Sequence, residues 1–137
     1  MSYLLDTNVL SELRKKTRCH PGVSTWAEGV SEESMYTSVL VIGEIRRGVD
    51  RVARKDAAQG RALGRWLEQV RAAFAGRTLE VTEQIAEEWG RLDASTPRPV
   101  VDALLAATAR VHGLTMVTRN TADFDVMGVD VFNPFEK

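Results

Sequence analysis

The sequence contains one cysteine and two histidines, which removes several classes of metal and redox site. Cys19 alone cannot form an internal disulfide, and it cannot build a cysteine cluster for zinc. His20 and His112 do not form an HxxxH or HExxH pattern, so a zinc site that depends on histidine is not expected. A metal site in this chain would therefore have to rely on oxygen ligands.

Long apolar runs and a strong net charge are also missing. No stretch approaches the ~20 apolar residues of a membrane span, and the N-terminus lacks the basic and apolar segments of a signal peptide. We therefore expect a cytoplasmic protein with no membrane partner. The net charge of -1 argues against a large, non-specific nucleic-acid binder, which is usually basic. It does not argue against a nuclease, because acidic metal ligands offset basic contact residues in the total.

What the chain does have is enough apolar sequence for a core. Its 137 residues, of which 44% are hydrophobic, predict one domain over residues 1–137. Short apolar strands alternate with helical segments, which predicts an α/β fold with a parallel sheet covered on both faces. The charged stretch 50–60 is interpreted as a loop or a frayed helix end. The predicted strands are 3–5, 35–37, 79–81, 114–118 and 129–131, and the predicted helices are 7–15, 21–30, 39–50, 55–74, 82–93 and 100–111.

Four carboxylates lie where these elements begin or end. Asp6 directly follows the first predicted strand, and Asp123 lies beyond a later one. Glu44 lies about one and a half turns into the helix after the second strand, and Asp102 opens a helix that packs on the sheet. Ligands of open α/β sheets bind outside the carboxyl ends of the strands. We therefore expect these four side chains to reach one end of the sheet.

Three of the four acids also have a purely structural interpretation. Asp6 could act only as the N-cap of the helix that follows it. Asp102 suits the dipole of a first helical turn, and Asp123 could cap a turn. Glu44 is different, because its position one turn after Leu40 places it on or beside the apolar face. A carboxylate near a core face needs a partner, so Glu44 favours the functional interpretation.

Carboxylates that converge in this way require a cation. Two of them ~4 Å apart repel each other by roughly 4 kcal/mol at an effective dielectric constant of ~20. Oxygen ligands without nearby histidine or cysteine select a hard ion, Mg²⁺ or Mn²⁺. Such an ion keeps water molecules that can be activated, and its open positions can accept phosphate oxygens. Hydrolysis of phosphodiester bonds is therefore the chemistry that this pattern favours.

Four segments around the acids resemble the acidic motifs of PIN-domain nucleases, specifically the VapC/FitB-like toxins of type II toxin–antitoxin pairs. The resemblance covers nearly the whole chain. It implies a three-layer α/β/α PIN-like fold with a central, mainly parallel sheet of about four to five strands. The matching segments are 4–12, 38–48, 102–109 and 118–124, and the closing 133–135 resembles the FitB-type ending.

The resemblance implies a ribonuclease that depends on Mg²⁺ or Mn²⁺. Asp6 and Asp102 would be the main metal ligands. Glu44 and Asp123 would complete the acidic pocket through water or a second metal, and one of them could hold the attacking water as a general base. Further residues would line the pocket, namely Thr7 and Asn8 at its floor and Thr118, Arg119 and Asn120 at its rim. For the three rim residues, a structural role in a turn is the alternative.

The resemblance also implies partners. A cognate antitoxin would cover the pocket, often with a basic side chain that reaches the carboxylates, and the toxin would form a homodimer. DNA would be contacted only through the antitoxin. One alternative is a catalytically idle PIN-like module that acts only within a DNA-binding repressor complex. Another is a phosphatase with Asp6 as nucleophile, but such enzymes usually carry a second aspartate two residues on, where this chain has Asn8.

Overall fold

A computed structural model describes residues 1–136, and its centre is a sheet of five strands. All four strand pairings are parallel, and the order across the sheet is β3-β2-β1-β4-β5. The predicted α/β fold with a parallel central sheet is therefore confirmed. The strands are β1 (Tyr3–Leu5), β2 (Met35–Ser38), β3 (Thr78–Leu79), β4 (Thr115–Val117) and β5 (Val131–Phe132).

Seven α-helices flank this sheet within residues 1–136. The most extensive helix contacts are those of α3 with α4 and of α5 with α6. None of the helices in this part of the chain is both long enough and apolar enough to cross a membrane. The helices are α1 (Thr7–Leu13), α2 (Pro21–Glu28), α3 (Val39–Lys55), α4 (Ala57–Ala73), α5 (Glu83–Ser95), α6 (Val100–His112) and α7 (Thr121–Asp125), and two short 3₁₀ turns cover Lys16–Arg18 and Glu32–Ser34.

Capping residues explain where several helices begin and end. The Ser38 hydroxyl accepts a hydrogen bond from the backbone N–H of Leu40 at the start of α3 (3.0 Å). The Thr82 hydroxyl does the same for Ile85 in α5 (3.2 Å). Helix α6 ends at Gly113, whose φ of 66° lies in the left-handed region that favours glycine.

The interpretation of residues 50–60 as a loop or frayed end is wrong. Helix α3 continues to Lys55 and α4 starts at Ala57, so only Asp56 separates them. The Asp56 carboxylate caps α4 by accepting from the backbone N–H of Gln59 (3.1 Å). Gly60 is buried against Ala53, and a Cβ at Gly60 would lie 2.6 Å from the Ala53 Cβ. This close approach holds the two helices together in a segment whose charged side chains point to solvent.

Smaller corrections concern the third and fifth predicted strands and one short helix. Strand β3 covers Thr78–Leu79 instead of 79–81, and β5 covers Val131–Phe132 instead of 129–131. Helix α7 was not predicted, because five residues are too few to show helical periodicity. Its buried Phe124 anchors it to the core. This helix matters for the site, since it carries Asp123.

Candidate active site

Asp6 lies at the carboxyl end of the central strand β1 and is only 6% exposed. Its backbone N–H donates to the carbonyl oxygen of Val117 at the end of β4 (3.0 Å). Its Oδ1 accepts from the backbone N–H of Thr7 (2.8 Å), so Asp6 does cap α1. Its Oδ2 accepts from the hydroxyl of Thr118 (2.8 Å). The cap fixes the orientation of Asp6 and leaves further lone pairs on both oxygens.

Thr118 connects the first and last acidic motifs. Its buried hydroxyl accepts hydrogen bonds from the side-chain amide of Asn8 (3.2 Å) and the backbone N–H of Asn120 (3.0 Å). A hydroxyl has one donor and two acceptor positions. Both acceptor positions are used by N–H groups, so its hydrogen is directed to Asp6. The side-chain oxygen of Asn8 also accepts from the backbone N–H of Arg119 (3.1 Å), which closes the network.

Glu44 is half-buried on α3, and its carboxylate is held from the neighbouring helix. The Thr7 hydroxyl donates to Glu44 Oε1 at 2.5 Å. This contact supplies a partner of the kind that a carboxylate beside the apolar face requires. It also links the first acidic motif to the second, because Thr7 follows Asp6 in the chain. Thr7, expected at the pocket floor, therefore orients Glu44.

Asp102 is half-buried in the first turn of α6, and Asp123 is exposed in α7. Burial is the main cause that raises the pKa of Asp6 above its ordinary value, and the charges of Glu44 and Asp102 raise it further. The hydrogen bonds from Thr118 and Thr7 act in the opposite direction. The pKa of Asp102 is raised by burial first, then by the charges of Glu44 and Asp123.

The four acids influence one another electrostatically. The charges of Glu44 and Asp102 act on Asp6, and the charges of Glu44 and Asp123 act on Asp102. The structure therefore brings the four sequence-predicted acids into one electrostatic neighbourhood.

Within residues 1–136, no cationic side chain forms an ion pair with the four acids. Two other carboxylates behave in the opposite way. Hydrogen bonds from Lys15 and the His20 backbone lower the pKa of Glu12, and Arg110 followed by Arg91 lowers that of Glu88. Both of these carboxylates form ion pairs, whereas the four site carboxylates form none within residues 1–136.

The donor set fits a hard divalent cation that keeps its water. All available ligands are carboxylate, amide or hydroxyl oxygens. Across residues 1–136, no three acidic, histidine or cysteine side chains lie close enough to form a ready-made metal cage. An open acidic pocket of this kind suits Mg²⁺, which typically takes one or two carboxylates and retains several waters. Asp6 and Asp102 could hold such an ion directly, and Glu44 and Asp123 could do so through water.

The structure also reveals neighbours that residue patterns alone did not identify. The guanidinium of Arg119 stacks on the ring of Phe135, with 3.8 Å between the guanidinium carbon and the ring centroid. Buried Glu12 accepts from the backbone N–H of His20 (2.8 Å), which fixes the loop after α1. These contacts join residues that are 16 and 8 positions apart in the chain. The only available signal for Phe135 was the resemblance of segment 133–135 to the FitB-type ending.

Replacing Thr118 with valine tests the hydrogen-bond network. We expect Thr118→Val to lower the free energy of unfolding by about 2 kcal/mol, because three polar partners lose a buried hydroxyl at once. Thr108→Val is the matched control, since within residues 1–136 that buried hydroxyl makes one hydrogen bond, to the Leu104 carbonyl (2.8 Å). The control should cost less than about 1 kcal/mol. Urea unfolding measures both values, and equal losses would contradict the central role of Thr118.

Comparisons with known proteins agree with this geometry. The sequence profile described as the PIN domain matches residues 3–129. The chain is 33% identical to the VapC ribonuclease Y4jK of Sinorhizobium fredii over 97% of each chain. It is 34% identical to toxin FitB of Neisseria gonorrhoeae over 96% of this chain and 97% of that one. The crystal structure of FitAcB from the same organism superposes with a TM-score of 0.88 at 32% identity, covering 98% of this chain and 99% of that chain.

Proposed function

Because the chain belongs to the PIN domain family, we propose that it is a metal-dependent ribonuclease and the toxin of a toxin–antitoxin pair. The observation that carries the proposal is the group of four acids at the carboxyl end of the sheet, two with raised pKa values. A pocket of unpaired carboxylates favours the binding of a cation. Relatives named ribonuclease and toxin support a role for that cation in RNA cleavage. The proposed enzyme is a single PIN domain spanning residues 1–137.

The ion would be held by Asp6 and Asp102. Bound Mg²⁺ or Mn²⁺ supplies Lewis acidity to a phosphate oxygen and to the attacking water. Asp6 is suited to this role because Thr118 and Thr7 each donate to one of its oxygens and fix its orientation. Asp102 is less buried than Asp6, so an ion held there would be accessible to RNA.

Glu44 and Asp123 would complete the pocket around the reacting phosphate. Of the two, Glu44 is better suited to hold the attacking water and accept its proton. The Thr7 hydroxyl fixes its Oε1, and within residues 1–136 no group donates to its Oε2. Asp123, which is exposed in α7, would act on the RNA through water. Asn8 and Asn120 would support Thr118 and so keep the pocket in shape.

The unpaired negative charge of the four acids would also favour the binding of a protein inhibitor. A cognate antitoxin that inserts a basic side chain among the four acids would neutralise them and exclude the metal. The similarity to FitB in the FitAcB structure supports such a partner, and we propose a homodimer of the toxin in which DNA is contacted only through the antitoxin. Because its substrate would be cellular RNA, the proposed site of action is the cytoplasm.

Removal of metal tests the proposal directly. The purified chain, free of antitoxin, is incubated with total bacterial RNA in Mg²⁺, in Mn²⁺ and in excess EDTA, and new RNA ends are counted by sequencing. We expect cleavage with either ion, none with EDTA, and recovery when metal is restored. Circular dichroism confirms that the protein is folded in each buffer. Folded protein that leaves RNA intact in both metals would favour the idle module, and cleavage in EDTA would refute the metal's role.

A further inference from the structure

Arg119 combines a fixed backbone with an exposed, oriented side chain. Its backbone N–H donates to Asn8 Oδ1 (3.1 Å), so its main chain belongs to the network that holds Asp6. Its guanidinium carbon lies 3.8 Å from the centroid of the Phe135 ring. Stacking on an aromatic ring uses the face of the guanidinium, while its five N–H donors point outward in the plane of the group. The contact therefore orients the side chain without occupying a donor.

The ring beneath Arg119 is itself held in place. The backbone N–H of Phe135 donates to Asn133 Oδ1 (2.9 Å), which forms a tight turn. The ring packs against His20, with centroids 5.5 Å apart. The turn lies directly on Gly22, where a Cβ would collide with the carbonyl oxygen of Pro134. Segment 133–135 is thus a rigid platform at the edge of the pocket.

A second arginine shows what a purely structural stack looks like in this protein. Arg77 also lies over an aromatic ring, that of Phe74, at 5.2 Å. Its guanidinium nitrogens donate to the carbonyl oxygens of Glu32, Met35 and Ala73, so Arg77 ties segments together. The guanidinium of Arg119 donates to no acceptor within residues 1–136. Its donors are available to a ligand, whereas those of Arg77 are used.

The charge of Arg119 acts beside the acidic pocket, not within it. It helps to lower the pKa of Glu12, a residue of α1 outside the group of four acids. It is not among the groups that change the pKa of Asp6 or Asp102. A cation among the acids would compete with a bound metal. A cation at the rim avoids this competition and can hold an anionic group that lies next to the reacting one.

We propose that Arg119, oriented by Phe135, binds the RNA phosphate that flanks the cleaved bond, and that segment 133–135 is its positioning platform. This inference rests on the proposed function, since it assigns an RNA contact to the same site. A planar guanidinium fork matches two phosphate oxygens, which a lysine ammonium cannot do in the same way. Arg119 would therefore set the register of the RNA on the carboxylates without taking part in the chemical step.

Binding is measured in the Asp6→Asn background, so that RNA is not consumed. The probe is a fluorescently labelled single-stranded RNA in Mg²⁺, titrated at several salt concentrations. We expect Arg119→Gln to raise Kd about tenfold and to reduce the slope of log Kd against log salt by about 0.7, the share of one phosphate contact on a single strand. Arg119→Lys should keep the slope and raise Kd about threefold, because the charge stays while the fork is lost.

Two further variants separate the platform from general charge effects. Phe135→Leu should raise Kd about threefold with the slope unchanged, since the cation remains but is no longer oriented. Arg61→Gln, an exposed arginine in α4, is the matched control and should stay within about twofold of the parent. In the cleavage-competent chain, Arg119→Gln should raise KM and change kcat by less than about threefold. Thermal unfolding checks that all variants are folded.

Several results would overturn the assignment. Unchanged Kd and salt slope in Arg119→Gln would remove the phosphate contact, and unchanged Kd in Phe135→Leu would remove the platform. A loss of kcat with KM unchanged would move Arg119 into the chemical step. Weaker antitoxin binding with RNA binding intact would assign Arg119 to a protein partner instead. If the wild-type chain binds RNA through Arg119 but never cleaves it, the proposed ribonuclease function fails, and only the phosphate contact of Arg119 remains from this inference.

Discussion

Asp6→Asn is expected to lower the rate of RNA cleavage by at least about a thousandfold while the chain remains folded, because a charge aimed at a reacting centre is worth roughly 4 kcal/mol. Asparagine has the size of aspartate and is an equally good helix cap. One oxygen can still accept from the Thr7 N–H, so α1 keeps its start. The negative charge that would hold the metal is removed.

The replacement also has a structural consequence that can be measured. The Thr118 hydroxyl donates to Asp6 Oδ2 and already accepts two hydrogen bonds. An amide NH₂ in the place of Oδ2 would find no acceptor there, which costs about 1 kcal/mol. Removing a buried carboxylate with a raised pKa offsets this loss. We therefore expect a thermal midpoint within about 4 °C of the wild type.

The matched control for this experiment is Asp130→Asn, which changes an exposed aspartate beside β5. Both variants and the wild type are compared in Mg²⁺ with the same RNA, and initial rates are measured. The control should cleave within about twofold of the wild type. A folded Asp6→Asn protein that cleaves within tenfold of the wild type would show that Asp6 is not a metal ligand.

The strands and most helices could be predicted because their signals are local. Runs such as 3–5 are short and apolar, and Leu4 and Leu5 are fully buried in the central strand. The charged side chains of residues 50–60 favour a loop, but the structure there is two paired helices in which Gly60 fits against Ala53. That contact joins two helices and produces no periodic pattern in the sequence of either one. The edge strand β3 has only two residues, so its position depends on its pairing with β2.

The acids of the candidate site could be predicted from the sequence, but the hydrogen bonds that orient them could not. Asp6 follows a strand and Glu44 lies beside an apolar face, and both features are visible in the sequence. The bond from Thr7 to Glu44 and the bond from Thr118 to Asp6 connect residues that are 37 and 112 positions apart. Such contacts arise from the strand order β2-β1-β4, which sets β1 between the two partners. Local patterns could therefore indicate the candidate ligands but not the hydrogen bonds that support them.

Asp102→Asn is expected to abolish cleavage to a similar extent and, in the absence of metal, to make the protein more stable at neutral pH. The pKa of Asp102 is raised in the folded state by burial and by Glu44 and Asp123. A carboxyl group with a raised folded pKa binds its proton more tightly when folded, so its ionisation opposes folding. This cost is absent when the pH is below the ordinary pKa of 3.8, and it is complete when the pH is above the raised pKa of the folded state. At pH 7 the wild type carries the full cost, and at pH 3 it carries almost none.

The stability gain should therefore depend on pH in one direction. Since Asp102 is partly exposed to solvent, screening reduces the effect to about 0.5–1 kcal/mol, which corresponds to a rise of about 2–4 °C in Tm. In EDTA at pH 7, Asp102→Asn should melt above the wild type, and at pH 3 the two should coincide. Asp130→Asn, the exposed control, should follow the wild type at both pH values.

Added metal should reverse the order of the two proteins. An ion that binds only the folded state raises stability by RT ln(1 + [L]/Kd), so excess Mg²⁺ or Mn²⁺ should raise the Tm of the wild type. Asp102→Asn, with a ligand missing, should gain much less. Calorimetry with and without metal gives both shifts. Equal metal-induced shifts would exclude Asp102 as a ligand, and a lower Tm for the variant in EDTA at pH 7 would mean that its carboxylate supports the fold instead of straining it.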